Sequence, residues 1–275
     1  MIGLYPHERS FSAFRDIIRQ WEPRTEFPSD DFLLKRSSPT EDAWLEYYIP
    51  FDYVEEKAKI LILGITPGIT QWTNAVRVAH DGLLKGWSDE AILKEAKQFG
   101  AFSGSMRPWL VKMLDMVGIN KIAGVSSCAQ LFDPNDEHAH HTSCFCHPIF
   151  DGHRKGYAGA SMQPKIPLFQ ESFLSGFLKE AQALPNAYII PLGSAGKITE
   201  YAVKKGWIEE DRFIRGLPHA SQANLGRVQY FCGEKSRDSF KLFKADGSKS
   251  ANNPDKVDEG KAIAIDKVNR ILHSR

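Results

Sequence analysis

The sequence predicts an α/β fold of three layers, with helices on both faces of a central, parallel, four-stranded sheet. Three observations carry this expectation. Unbroken apolar runs such as ILIL at 60–63 and YII at 188–190 have the character of strands buried on both faces. Stretches with apolar residues three and four apart alternate with those runs. The runs end in loops rich in glycine and proline, and open α/β sheets hold their ligands at the carboxyl ends of their strands.

Taken in order, the chain opens with an amphipathic helix: Phe11, Phe14, Ile17, Ile18 and Trp21 share one face, and Pro23 stops it. A second apolar set, Trp44, Leu45, Tyr48 and Ile49, ends at Pro50 and reads as another packing helix. The first strand, in KILILGITPG at 59–68, breaks into a tight loop. There Pro67 biases Thr66 towards extended backbone and Gly68 leaves room for close approach. Helices follow at 70–79 and at 88–99, the latter with Ser88 as N-cap. The next runs from Met106 to Val117, with Ser105 as cap and Gly118 as terminator. A second strand is expected at 122–128. No period holds from 131 to 162, a stretch rich in His, Gly and Asp that reads as a functional loop or insertion. A helix at 169–184, a third strand ending at Gly193 and a helix at 195–205 come next. A fourth strand and a second glycine-bearing loop fall in RFIRGLPHASQANLGRV, VQYFC reads as an edge strand, 245–256 as a polar linker and 259–272 as a helix. The expected organisation is an N-terminal helical extension at 1–57, an α/β domain at 58–244, and a linker with a C-terminal helix at 245–275.

The 275 residues, 42% of them hydrophobic, suffice for one large core. With 35 basic and 34 acidic residues the formal charge is +1, so any nucleic-acid binding must come from a local patch. No apolar run approaches the roughly 20 residues of a membrane span, and MIGLYPHERS lacks the pattern of a secretory leader, so a soluble, cytoplasmic, monomeric protein is expected. Four cysteines in this length do not suggest a disulfide scaffold.

GITPG after the first strand, AFSGS before a long helix and GLPHASQAN after a late strand, in that order, are similar to the motifs of the uracil-DNA glycosylase superfamily. The similarity runs from about residue 59 to 232 and leaves both ends uncovered. The resemblance implies a glycosylase that flips a pyrimidine nucleotide out of DNA and hydrolyses its N-glycosidic bond. By the same resemblance Phe102 stacks on the extruded base, and His219 donates a hydrogen bond to the pyrimidine O2 as negative charge builds on the leaving base. Ser221, Gln222, Asn224, Leu225 and Arg227 become candidates for DNA contact, with Leu225 or Gln222 filling the gap left by the nucleotide. Ser126 and Ser127 are candidates for reading the polar edge of the base.

The first loop departs from the family pattern. Where relatives place a water-polarising Asp, Asn or Glu, this chain has Ile65 and Thr66. Thr66 can orient a water but cannot act as a base at neutral pH, so leaving-group stabilisation carries the reaction or an acid elsewhere serves. Asp81, Asp133, Asp136 and Asp151 stand as alternatives, and Gln71 is a further water-orienting candidate. Gly68 replaces the bulky Tyr that excludes C5 substituents in the strictest uracil enzymes. A C5-modified cytosine, hydroxymethylated or glucosylated as in phage DNA, therefore joins uracil as a substrate expectation, with a role in defence rather than repair. No cofactor is expected. The cysteine spacing does not match the iron–sulfur branches, and a zinc site from Cys144, Cys146, His147 and one of His138, His140 or His141 is the alternative to a plain polar loop. The rival from another class is a DNA-binding module that has lost turnover; a small-molecule α/β hydrolase lacks the G-x-S-x-G elbow.

Overall fold

The apolar run at 60–63 forms the middle strand of a parallel sheet. In a computed structural model that describes residues 1–24, 27–159, 161–240 and 253–274, the chain folds as an α/β protein. The N-terminal part contributes helix α1 (Phe11–Arg19) and strands β1 (Leu33–Arg36) and β2 (Leu45–Tyr47). Strand β3 (Ile60–Gly64) leads into α2 (Ile69–Leu84), α3 (Asp89–Gly100), α4 (Met106–Val117) and the short α5 (Ile119–Ala123). Strands β4 (Ala139–Ser143) and β5 (Ile149–Phe150) precede α6 (Pro167–Ser175) and α7 (Phe177–Ala183). Strand β6 (Tyr188–Pro191), then α8 (Ala195–Lys204), α9 (Leu225–Phe231) and α10 (Pro254–His273) complete the order.

The parallel sheet has the order β4-β3-β6, with Ile62 opposite His141 on one side and Ile190 on the other. Alternation along β3 separates two cores: Ile60 and Ile62 pack with α4, α5, α9 and α10, whereas Leu61 and Leu63 pack with α6, α7 and α8. A third core joins α1, α2 and α3 to β2 through Phe14, Tyr48, Trp72 and Ile92. The antiparallel sheet β1-β2-β5 ties residues 33–47 to the segment after β4.

Several expectations are corrected. The parallel sheet has three strands among the described residues; the fourth is reduced to a single parallel bridge between Ile189 and Phe213. The strand expected at 122–128 is α5 and the turn after it, because Gly118 (φ 87°) and Gly124 (φ 82°) cap one helical turn that buries Ile119, Ile122 and Ala123. The true second strand is β4, in the stretch read as a functional loop or insertion. Its sequence AHHTS has no apolar alternation, yet all five residues are buried by their neighbours. VQYFC is not an edge strand: α9 occupies it, burying Val228 and Phe231 at a spacing of three. The apolar set at 44–49 is strand β2 rather than a helix, since all three of its residues are buried between β1 and β5. The helix expected at 169–184 breaks at Gly176, where an added Cβ would lie 2.9 Å from Cys146 Sγ. Ser88 caps α3 as expected, its hydroxyl accepting from the Ala91 N–H, but Ser105 is itself helical and makes no such bond. Most of the expected linker lies outside the described residues, and its end is helical, since α10 starts at Pro254 with Asn253 as cap.

Candidate active site at the carboxyl edge of the parallel sheet

Gly64 ends β3, and without a side chain it lets the ring of Phe102 lie across the strand end. A Cβ built on Gly64 would sit 3.5 Å from the ring and 3.2 Å from Ser143 Oγ at the end of β4. Phe102 holds a left-handed backbone (φ 49°) just after α3 and is 4% exposed. Such a conformation in a bulky residue costs of order 1–3 kcal/mol and is sustained by its surroundings. The ring meets His141 edge-on at 6.0 Å, and His141 in turn stacks on Phe132 at 4.7 Å.

One strand over, Gly193 (φ 55°) follows β6, and a Cβ there would come within 2.8 Å of His219 Cβ. The Gly193 N–H donates to Leu217 O at 2.9 Å, which sets the His219 loop against the sheet edge. The Ser221 N–H donates to His219 Nδ1 at 3.2 Å. An accepting Nδ1 places the proton of the neutral ring on Nε2. Burial lowers the pKa of His219 from its ordinary value, favouring that neutral form. The His219 loop also reaches the Phe102 loop, because Gln222 Nε2 donates to Ser105 Oγ at 3.0 Å.

Beside Phe102 a narrow cleft is lined by Phe51, Gln71, Lys97, His141, Thr142, Ser143, Cys146 and Glu180. Its free volume is about 10 Å³, room for one water and not for a pyrimidine. Behind it lies a buried polar cluster. Lys97 Nζ donates to Tyr53 O at 2.8 Å and to Glu180 Oε1 at 3.1 Å; Tyr5 Oη donates to the same oxygen at 2.7 Å. His140 Nδ1 accepts from the Glu55 N–H, so its Nε2–H faces Glu180 Oε2 at 3.2 Å. Burial raises the Glu180 pKa, but Lys97 and His140 outweigh it and hold the carboxyl ionised, far below its ordinary range. Burial holds His141 neutral, and its Nε2 has no hydrogen-bond partner.

The other candidate residues divide. Gln71 lines the cleft, with Oε1 accepting from the Gly68 N–H at 2.9 Å, so its amide N–H₂ group is the part left for a ligand or water. Gly68 begins α2 with open space where a Cβ would stand. Thr66 is occupied: its hydroxyl donates to His147 O at 3.1 Å and accepts from the Ile149 N–H at 3.2 Å, fastening the loop to the segment after β4. Ile65 packs into the second core instead of facing the cleft. Ser126 and Ser127 lie in the turn after α5, not at the end of a strand. Ser126 binds Gln130, and Ser127 Oγ donates to Asp115 at 2.7 Å while capping the turn at 128–132. Their expected place is taken by His141, Thr142 and Ser143, which the missing apolar pattern of β4 concealed. Among the acids, Asp81 neighbours His80, Asp136 binds His138 and Ala139, and Asp151 closes a turn; the carboxylate at the cleft is Glu180, which no motif singled out.

In the late loop Ser221 Oγ accepts from Asn224 Nδ2, Leu225 starts α9 half-buried, and Arg227 lines a cleft shared with Lys197, Arg215 and Lys256. Cys144, Cys146 and His147 do not assemble a zinc site. Burial raises both thiols, that of Cys146 to about 12, and His147 Nδ1 accepts from the Ile49 N–H. Among the described residues no three His, Cys, Asp or Glu side chains converge as metal ligands. No helix among them is long and apolar enough to cross a membrane.

Comparison with known proteins adds lineage. No family model matches the chain, and no solved structure matches it. Over 197 residues it is 32% identical to the uncharacterized protein YoxB of Bacillus subtilis (strain 168), an alignment covering 70% of this chain and 76% of that protein. The chain belongs to the YoxB family.

Proposed function

We propose that the protein is a DNA glycosylase acting on a flipped pyrimidine nucleotide, either uracil or a hydroxymethylated or glucosylated cytosine, the latter as antiphage defence. The proposal includes a three-layer α/β/α reading of the fold, in which Phe213 marks a vestigial fourth strand. The observation that carries it is His219: neutral, its Nδ1 held by the Ser221 N–H, its Nε2–H free to donate, at the same sheet edge as Phe102. Such a donor stabilises the negative charge on O2 as the bond from C1′ to N1 breaks. Water supplies hydroxide to C1′, and its proton leaves with the base or with solvent. Gln71 orients that water through its amide, and Thr66 acts only by holding the loop. His141, Thr142 and Ser143 read the edge of the base, whose arrival gives the orphaned His141 Nε2 a partner.

Entry of a base requires the Phe102 segment to open, since the cleft holds only a water. That segment lies between Gly100 and the left-handed Gly104 (φ 77°), and its strained backbone lowers the cost of moving it. The open space before Gly68 is the feature that admits a C5 substituent. Ser221, Asn224 and Arg227 contact the DNA backbone, Gln222 and Leu225 flank the vacated stack, and no cofactor is called upon.

The test is alkali-revealed strand cleavage of oligonucleotides carrying uracil, 5-hydroxymethylcytosine or its glucosylated form. Turnover of at least one by the wild-type chain, reduced about 10²–10³-fold in His219→Ala with DNA affinity retained, is the expected result. Abasic sites in none of them would overturn it. One observation favours a second reading, a DNA-binding module without turnover: the only hydroxyl proton of Thr66 is spent on His147 O and its oxygen already accepts from the Ile149 N–H, at the position where the uracil-DNA glycosylase superfamily presents a water-polarising group. DNA binding without abasic product would select that reading.

A further inference from the structure

The C-terminal helix lies outside the segment that resembles a known superfamily, yet it reaches the His219 loop by direct backbone contact. Gly216 (φ 107°) lies three residues before His219, and a Cβ on it would stand 2.0 Å from Gly260 O in α10. A Cβ on Gly260 would stand 2.5 Å from Gly216 O. Only two glycines permit such an approach. On the far side of His219, Lys261 Nζ donates to Phe231 O at 2.9 Å and Tyr230 Oη donates to Asp258 at 2.9 Å, so α10 also holds α9. Val257 and Leu217 are buried in the same core.

We propose that α10 is a positioning element for His219, the seating of Gly260 on Gly216 setting where the imidazole stands at the sheet edge. This rests on the glycosylase reading of His219. Sub-ångström placement matters because a donor aimed at a developing charge loses its effect within about 1 Å of misplacement. The burial that keeps the ring neutral depends on the same seating, and a loop lifted by a methyl group hydrates its imidazole.

The experiment compares Gly260→Ala with wild type in the full chain, beside Val268→Ala. Val268 is a buried residue of α10 that packs near Gly118 at the other end of the helix. Gly260→Ala is expected to lower kcat about tenfold or more, to leave KM and affinity for abasic DNA within about twofold, and to move the acid limb of the pH–rate profile up towards the ordinary imidazole value of about 6.5. Val268→Ala is expected to lower Tm while kcat of the folded protein and its acid limb stay put. Should Gly260→Ala fail to fold, Val257→Ala, one turn earlier, is expected to give the same changes in weaker form. Wild-type kcat and acid limb in a folded Gly260→Ala or Val257→Ala would overturn the proposal, and so would equal losses in Val268→Ala. The His219 titration followed by NMR reads the seating without turnover. A wild-type chain inactive on every DNA whose His219 titration still moves in Gly260→Ala thus fails the glycosylase reading while upholding the positioning.

Discussion

Single atoms decide what this site can do. The absent Cβ of Gly64 admits the Phe102 ring, and the absent Cβ of Gly193 admits His219. Gly193→Ala strains a left-handed backbone and drives a methyl into His219 Cβ, 2.8 Å away. A loss of about 1–3 kcal/mol in chemical denaturation is expected, and, on the glycosylase proposal, a larger proportional loss of base-excision rate than of DNA affinity. Equal activity and stability in that variant would show the loop to be more yielding than the contact implies. Thr66 makes the complementary point. From the sequence it is a hydroxyl in a ligand loop, whereas its two backbone partners make it a fastener.

Among elements, the parallel strands and the helices behind them are joined by a buried ion pair rather than by apolar contact alone. Lys97 of α3 meets Glu180 of α7, with His140 of β4 and Tyr5 of the N-terminal segment on the same carboxylate. Lys97 is 4% exposed and Glu180 is fully buried. Replacing Lys97 leaves the Glu180 carboxylate with two neutral hydrogen-bond donors but no cation, in a medium that solvates it poorly. Lys97→Met is expected to cost about 3–5 kcal/mol in denaturant-induced unfolding. The double variant Lys97→Met with Glu180→Leu should recover much of that loss, and a double variant no more stable than the single one would deny the coupling.

For the molecule as a whole the buried titratable groups set a pH dependence of stability. Burial lowers the pKa of His140, His141, His147 and His219. The unfolded chain takes up protons on these four near pH 6.5 while the folded chain does not, so their contribution is whole above 6.5 and is lost as pH falls below it. Asp52 opposes them. Burial raises its pKa to about 7, so between about pH 4 and 7 the folded chain binds the extra proton and acid favours folding at that one group. Four groups outweigh one, and Tm by calorimetry is expected to fall from pH 6.5 to 5, more steeply in Asp52→Asn. A Tm that rises on acidification over that window would contradict the assignment.

Local pattern in the sequence was enough for β3, β6, α2, α3, α4 and α8, because apolar period, an N-cap such as Ser88 and a left-handed stop such as Gly118 act within a few residues. Local pattern also made candidates of Phe102 and His219, which stand in loops bounded by glycine, and of Gln71 in the first turn of α2. Only tertiary structure made AHHTS a strand of the parallel sheet, VQYFC a helix and Thr66 a structural hydroxyl. The reason is physical: His140 and His141 are buried by the elements that close over them, and Thr66 finds its partners 81 and 83 residues away, so nothing near them in the chain carries the signal.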